Sequence, residues 1–370
     1  MNDAKEMKEN EKSSKNGGAA RIIEIFVLIS SAVFLSVAAS VLFVGVAGTL
    51  CAVVASALFS CALFLSGGAL LCFGAAAVSS AASFLITYLI CGNLINALAG
   101  MVYVAAGAFI YLGVKRKHPR TRITVGLTCF LVVFHFSLIV LYFLLKTGTF
   151  SIDMVSLLAE DVLTSGVQLA VGPVLSTIPE ADKTAYIQEF VKNMKAVTPA
   201  LFVLYSAAFA YLSSSFFKSF YNIFIPMANP GRKKIKNKYW RLDISFVSAA
   251  AALCAIIASL FVPSQKYPLP SVILTNLIYI LIPGFCIVGV YFVHDKVSKE
   301  KAGIFLVVFA LCAIIAVLLL PAALFAFVLV FMLSGLYATL VEDMKKFFKK
   351  AKKALLGDED ENDDDDDYID

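Results

Sequence analysis

The sequence predicts an all-α, polytopic transmembrane helix bundle of about ten spans, with eight as the lower bound. Three observations carry that expectation. Apolar residues make up 60% of the 370-residue chain and charged residues 15%, against about a quarter charged in a soluble domain. Between Ile22 and Val114 a single charge, Glu24, interrupts 93 residues, more apolar surface than one soluble core can hide. Short connectors dense in Lys and Arg recur between the apolar runs, the pattern that holds loops on the cytoplasmic side.

Residues 1–21 are polar and mixed in charge, with five Lys or Arg against four acids. They are expected as a disordered cytoplasmic tail. Val37-Ala38-Ala39 faintly resembles a signal-peptidase site, but the segment before it is too long and too acidic for a signal peptide.

Residues 22–145 are expected as an Ala/Gly-rich transmembrane half of about five spans. A helix crosses the bilayer with about 20 residues, and breaks at Gly45–Gly48, Gly67-Gly68 and Gly92-Asn93 give spans 22–43, 46–65, 69–91 and 94–114. Small residues let such helices approach closely and pack through van der Waals contact and hydroxyl hydrogen bonds. Asn93 and Asn96, in GNLINALAG, need partners at that depth: either they bond within a packed bundle or they line a polar cavity. KRKHPRTR, residues 115–122, holds five Lys or Arg and no acid, so it is an inner loop. An even number of spans before it keeps the amino terminus inside. The fifth span, 123–145, carries His135 near its middle, an intramembrane ionisable group and so a candidate site residue.

Residues 146–198 are the one long polar interruption, with six acids and four lysines. They are expected as an extracytoplasmic amphipathic helical segment. Ile152, Val155, Leu158 and Val162 make one apolar stripe, and Ile187, Phe190, Val191, Met194 and Val197 a second. Capping the bundle, lying on the membrane and gating all remain open.

Residues 199–343 form the second transmembrane half of about five spans. The first, 199–225, contains Lys218 and leads into PMANPGRKKIKNKYWRLD. That loop has six basic residues, among them Arg232, Lys233, Lys234 and Arg241, against one acid, and the chain's only tryptophan, Trp240. These residues mark the membrane interface and fix orientation, with Trp240 expected at the headgroups. Span 244–262 follows, then a turn with three prolines, then span 271–293 with Asn276 and the Pro283-Gly284 step. That step either bends the helix or makes a discontinuous helix at a binding site. Pro321 divides 304–341 into two further spans.

Residues 344–370 join a basic amphipathic helix, MKKFFKKAKK, to a disordered tail with ten acids in its last thirteen residues. The helix is expected to lie on anionic lipid headgroups. With this arrangement 25 of the 31 Lys and Arg fall in inner segments, and both termini are cytoplasmic.

The chemistry is sparse. Eight cysteines all lie inside apolar runs without C-x-x-C spacing, where a thiol acts as a small hydrophobe. No phosphate-binding loop, metalloprotease helix or nucleophile elbow is present, so neither an enzyme nor a metal or other cofactor is expected. The net charge of +5 conceals an acidic tail and basic loops. It points to the bilayer's anionic headgroups as partner and not to nucleic acid.

TPALFVLYSAAFAYLSSSFFKSFYN, the basic loop with YWRLD, NLIYILIPGFCIVGVYF and the closing LSGLYATLVEDMKKFFKK together resemble the YybS-like family of bacterial multi-pass membrane proteins over residues 180–350. The family tends to have Pro after Trp-Arg-Leu, where this chain has Asp243. The resemblance implies a bacterial cytoplasmic membrane and supplies no catalytic residues. The architecture is also similar to the substrate-capture subunits of energy-coupling-factor transporters, at the level of fold alone.

Two functional expectations follow. One is a solute-binding or transport-type subunit using Asn93, Asn96, His135, Asn276 and Pro283, with a partner ATPase to supply energy. The alternative is a non-transporting scaffold or regulator acting through the basic loops and the carboxy-terminal tail.

Overall fold

The computed structural model describes residues 2–42, 46–66, 69–151, 180–228, 234–235, 240–263, 266–296, 328–341 and 344–345. Among these residues the chain is helical, with no strand. The helices are α1 (Asn2–Val41), α2 (Val46–Ser66), α3 (Ala69–Cys91), α4 (Leu94–Lys115), α5 (Arg120–Thr147), α6 (Glu180–Ala228), α7 (Phe246–Phe261) and α8 (Pro268–Lys296), followed by an apolar helix over Val328–Val341. Among the described residues seven are long and apolar enough to cross a membrane: Arg21–Val41, Val46–Ser66, Cys72–Cys91, Leu94–Lys115, Arg120–Thr147, Met194–Met227 and Pro268–Lys296.

Of the roughly ten spans expected, the described residues hold seven such helices. The span expected at 244–262 is the 16-residue α7, about 24 Å long and shorter than a hydrocarbon core of about 30 Å. The span at 304–320 lies outside the described residues, and the one at 322–341 is described only from Val328. The first amphipathic stripe, at 152–162, and most of 344–370 also lie outside them. Helix α1 runs from Asn2, so its backbone takes in the segment read as a tail.

The second stripe, from Ile187 to Val197, is not a separate element. It is the opening of α6, which continues through Pro199 for 49 residues. Such a helix is about 73 Å long, far more than a bilayer requires.

The chain divides into two compact units. Residues 1–151 and 205–241 belong to the first, and residues 152–204 and 242–365 to the second. In the first unit α1 and α2 form an antiparallel hairpin in which Arg21, midway along α1, donates from Nε and Nη2 to the Leu65 carbonyl near the end of α2 at 2.9 and 2.6 Å. Helices α3 and α4 pack as a second pair, with α4 also lying along α1 and α2. Asn93 turns the chain into α4 by accepting the Ile95 N–H at 2.9 Å, the usual job of an N-cap amide.

Aromatic rings fill the core of this unit. Phe64 lies 4.8 Å from Tyr111, 5.6 Å from Phe217 and 5.4 Å from Tyr221 between ring centroids. Small hydroxyls join the helices, as lipid-embedded packing requires. Ser56 Oγ donates to Tyr103 O at 2.8 Å, and Ser36 bonds Ser83 at 2.6 Å and Gly100 O at 2.7 Å.

The second unit has its own core of Ala249, Ala252, Phe285, Met332 and Leu336. Here α8 and the Val328–Val341 helix touch backbone to backbone. A Cβ on Gly289 would collide with the Phe331 carbonyl, and one on Gly335 with the Phe285 carbonyl. Only glycine permits that approach.

Candidate functional site

The basic loops are built onto the first unit by a buried arginine. Pro119 has an extended backbone and caps α5, which places Arg120 at the first helical position, facing α6. Its side chain is only 4% exposed. Nε donates to Ser214 Oγ at 3.2 Å, Nη1 to Trp240 O at 3.1 Å and Nη2 to Tyr211 O at 3.1 Å and to Ser215 Oγ. The guanidinium also covers the Tyr211 ring, 4.2 Å from its centroid. A buried charge needs compensation, and here carbonyls, hydroxyls and a π-face provide it.

The second basic loop is held by three further bonds. Asn222 accepts the Ile235 N–H at 2.7 Å and donates to Ile235 O at 3.1 Å. Trp240 Nε1 donates to Ser214 O at 3.1 Å, and its ring lies 5.9 Å from Phe217. Connector 115–122 and connector 229–241 therefore share one end of the unit.

Trp240, expected at the headgroups, packs against protein at this end of the unit. It is 6% exposed and belongs to the core, because the loop folds back and offers its indole N–H a carbonyl on α6. Lys234 and Arg241 are exposed. Arg232 and Lys233 lie outside the described residues.

The candidate cavity residues have separate neighbours. Asn93 is an exposed helix cap, and Asn96 is half-buried on the first turn of α4. His135 lies edge-on to Phe134 and Tyr205, with centroids 6.2 and 6.1 Å away. Asn276, in the second unit, accepts the Ala200 N–H at 2.8 Å and donates to Ala196 O at 2.7 Å and Val272 O at 2.9 Å. Pro283 is exposed within a continuous α8, so the step at Pro283-Gly284 does not divide the helix. Asn93 and Asn276 are thus both engaged by backbone groups of their own units.

Two residues that organise the basic face were not singled out from the sequence. Arg120 counted only as one loop charge among five, and Asn222 as one polar residue in an apolar run. The signal was the 211, 214, 215, 218 spacing, which puts Tyr211, Ser214, Ser215 and Lys218 on one helical face.

No family model matches the chain, and no curated protein or solved structure does either.

Proposed function

We propose that this multi-pass membrane protein is a non-transporting scaffold or regulator that presents a preformed basic face to a cytoplasmic partner. The observation that carries the reading is the Arg120 clamp: four hydrogen-bond acceptors on α6 and the second loop converge on one buried guanidinium. A loop that served only orientation would need charge, not a folded shape. Membership of the YybS-like family, a bacterial cell membrane and cytoplasmic termini belong to the same proposal. They are supported by the motifs and by the distribution of Lys and Arg.

The test is in-cell crosslinking from a photoreactive residue at Lys234. A discrete crosslinked partner is expected, and it should disappear when the same probe is combined with Arg241→Glu in a variant that still inserts. Crosslinking that is absent, or that charge reversal leaves unchanged, would refute the scaffold reading.

A second reading, solute capture with a partner ATPase, is favoured by one observation. Thr87 is fully buried beside Ser40 and Ser83 around Gly100, and its hydroxyl has no hydrogen-bond partner among the described residues. A small polar ligand in the bundle would satisfy it. A metabolite panel that raises the melting temperature of wild type but not of Thr87→Val would support this reading; no shift with any metabolite would end it.

A further inference from the structure

The five Lys and Arg of KRKHPRTR do not share one role. Lys115 bonds the Tyr111 hydroxyl at 3.0 Å, and Arg120 is buried in the clamp. Lys117 takes a left-handed backbone with φ of 56°, which reverses the chain between α4 and α5 and brings the residues on either side of it to the same cleft. That cleft, of about 260 Å³, is lined by Phe109, Leu112, Arg116, His118, Arg122 and Ile123, with Gly113 and Gly126.

Two features define what fits there. The side chains of Arg116, His118 and Arg122 have no hydrogen bond or ion pair among the described residues. No Asp or Glu occurs between Ile25 and Ser151, or between Tyr205 and Arg241, so these stretches carry no carboxylate to neutralise them. The wall beneath the cations is apolar and continuous with the flanks of α4 and α5. Gly113 and Gly126 keep the helices close there, since a Cβ would come within 2.7 Å of Ile123 and 2.9 Å of Phe109.

We propose that this cleft is a binding site for the phosphate of an anionic glycerophospholipid, with Arg116, His118 and Arg122 on the phosphate and Phe109, Leu112 and Ile123 along the start of an acyl chain. Paired arginines suit phosphate oxygens through charge-assisted hydrogen bonds. A volume of about eight or nine waters takes a headgroup, not a whole lipid. The chain's own acidic tail is the rival occupant, but its Asp and Glu run offers little for the apolar wall. The site stands whether or not the basic face recruits a protein partner.

The experiment titrates delipidated protein in neutral detergent with phosphatidylglycerol, phosphatidylcholine or inorganic phosphate, reading bound lipid by native mass spectrometry and the melting temperature. One phosphatidylglycerol should bind at least about tenfold tighter than phosphatidylcholine, and Arg116→Ala/Arg122→Ala should weaken it by more than about tenfold. Arg116→Lys/Arg122→Lys, which keeps the charge but not the fork, should recover only part of the binding, and Lys234→Ala, which removes a charge elsewhere, should change it less than about twofold. Equal binding of the two lipids, or no effect of the double alanine variant, would overturn the proposal. Inorganic phosphate stabilising as strongly as the lipid would make the site one for a soluble anion. No binding of phosphatidylglycerol until residues 358–370 are deleted would assign the cleft of the full chain to the tail. Either result also overturns the lipid assignment.

Discussion

The carboxamide of Asn276 on α8 accepts the N–H of Ala200 on α6 at 2.8 Å and donates to the carbonyl of Ala196, one turn earlier, at 2.7 Å. An α-helix pairs such an N–H and C=O with one another. Here a side chain from a neighbouring helix serves both, beside Pro199, which has no N–H to give. This is one way a helix passes a proline without leaving backbone groups bare in an apolar setting.

Asn276→Leu is expected to destabilise the protein by about 1–2 kcal/mol, since it leaves both backbone groups to re-pair against the proline. Reversible unfolding in detergent measures it. Asn276→Gln, whose amide sits one methylene too far, should recover less than half of the loss.

Arg120→Ala should cost about 2–4 kcal/mol and release the second basic loop. Trp240 is the only tryptophan, so its emission reports this loop alone. A red shift is expected in Arg120→Ala, and in Arg120→Lys as well, because an ammonium cannot reproduce the fork. An unshifted emission maximum would show that Trp240 stays buried without the clamp.

Glycine substitutions should separate by place. Gly289→Ala and Gly335→Ala each put a methyl into the facing carbonyl, and either should lower the melting temperature sharply through loss of close packing. Gly74→Ala, with nothing within 4 Å of the added carbon, should be neutral or stabilising by up to about 1 kcal/mol.

Because Arg120 ties connector 115–122 to connector 229–241, single cysteines at Arg122 and Lys234 in a cysteine-free background should label with an impermeant maleimide from the same side of sealed vesicles. Labelling from opposite sides would contradict the clamp.

Much of the architecture is legible in the primary structure because lipid imposes a simple rule. A run of about 20 apolar residues must be a helix if it crosses, and Gly92-Asn93 marks where α3 gives way to α4. The rule weakens where the residues answer to neighbours. Pro199 reads as a helix start, yet α6 runs through it with Asn276 as support, and Pro283 leaves α8 unbroken.

Composition and run length were enough for the class, a helical, multi-pass membrane protein with basic connectors, since they decide which solvent a segment tolerates. What each polar residue does came from the packing of helices against one another. Asn93 caps a helix, Asn276 spans a backbone gap, Trp240 packs its indole against α6, and Arg120 becomes the joint of the basic face. These assignments depend on which donor meets which acceptor across helices, and sequence spacing carries no information about partners scores of residues away.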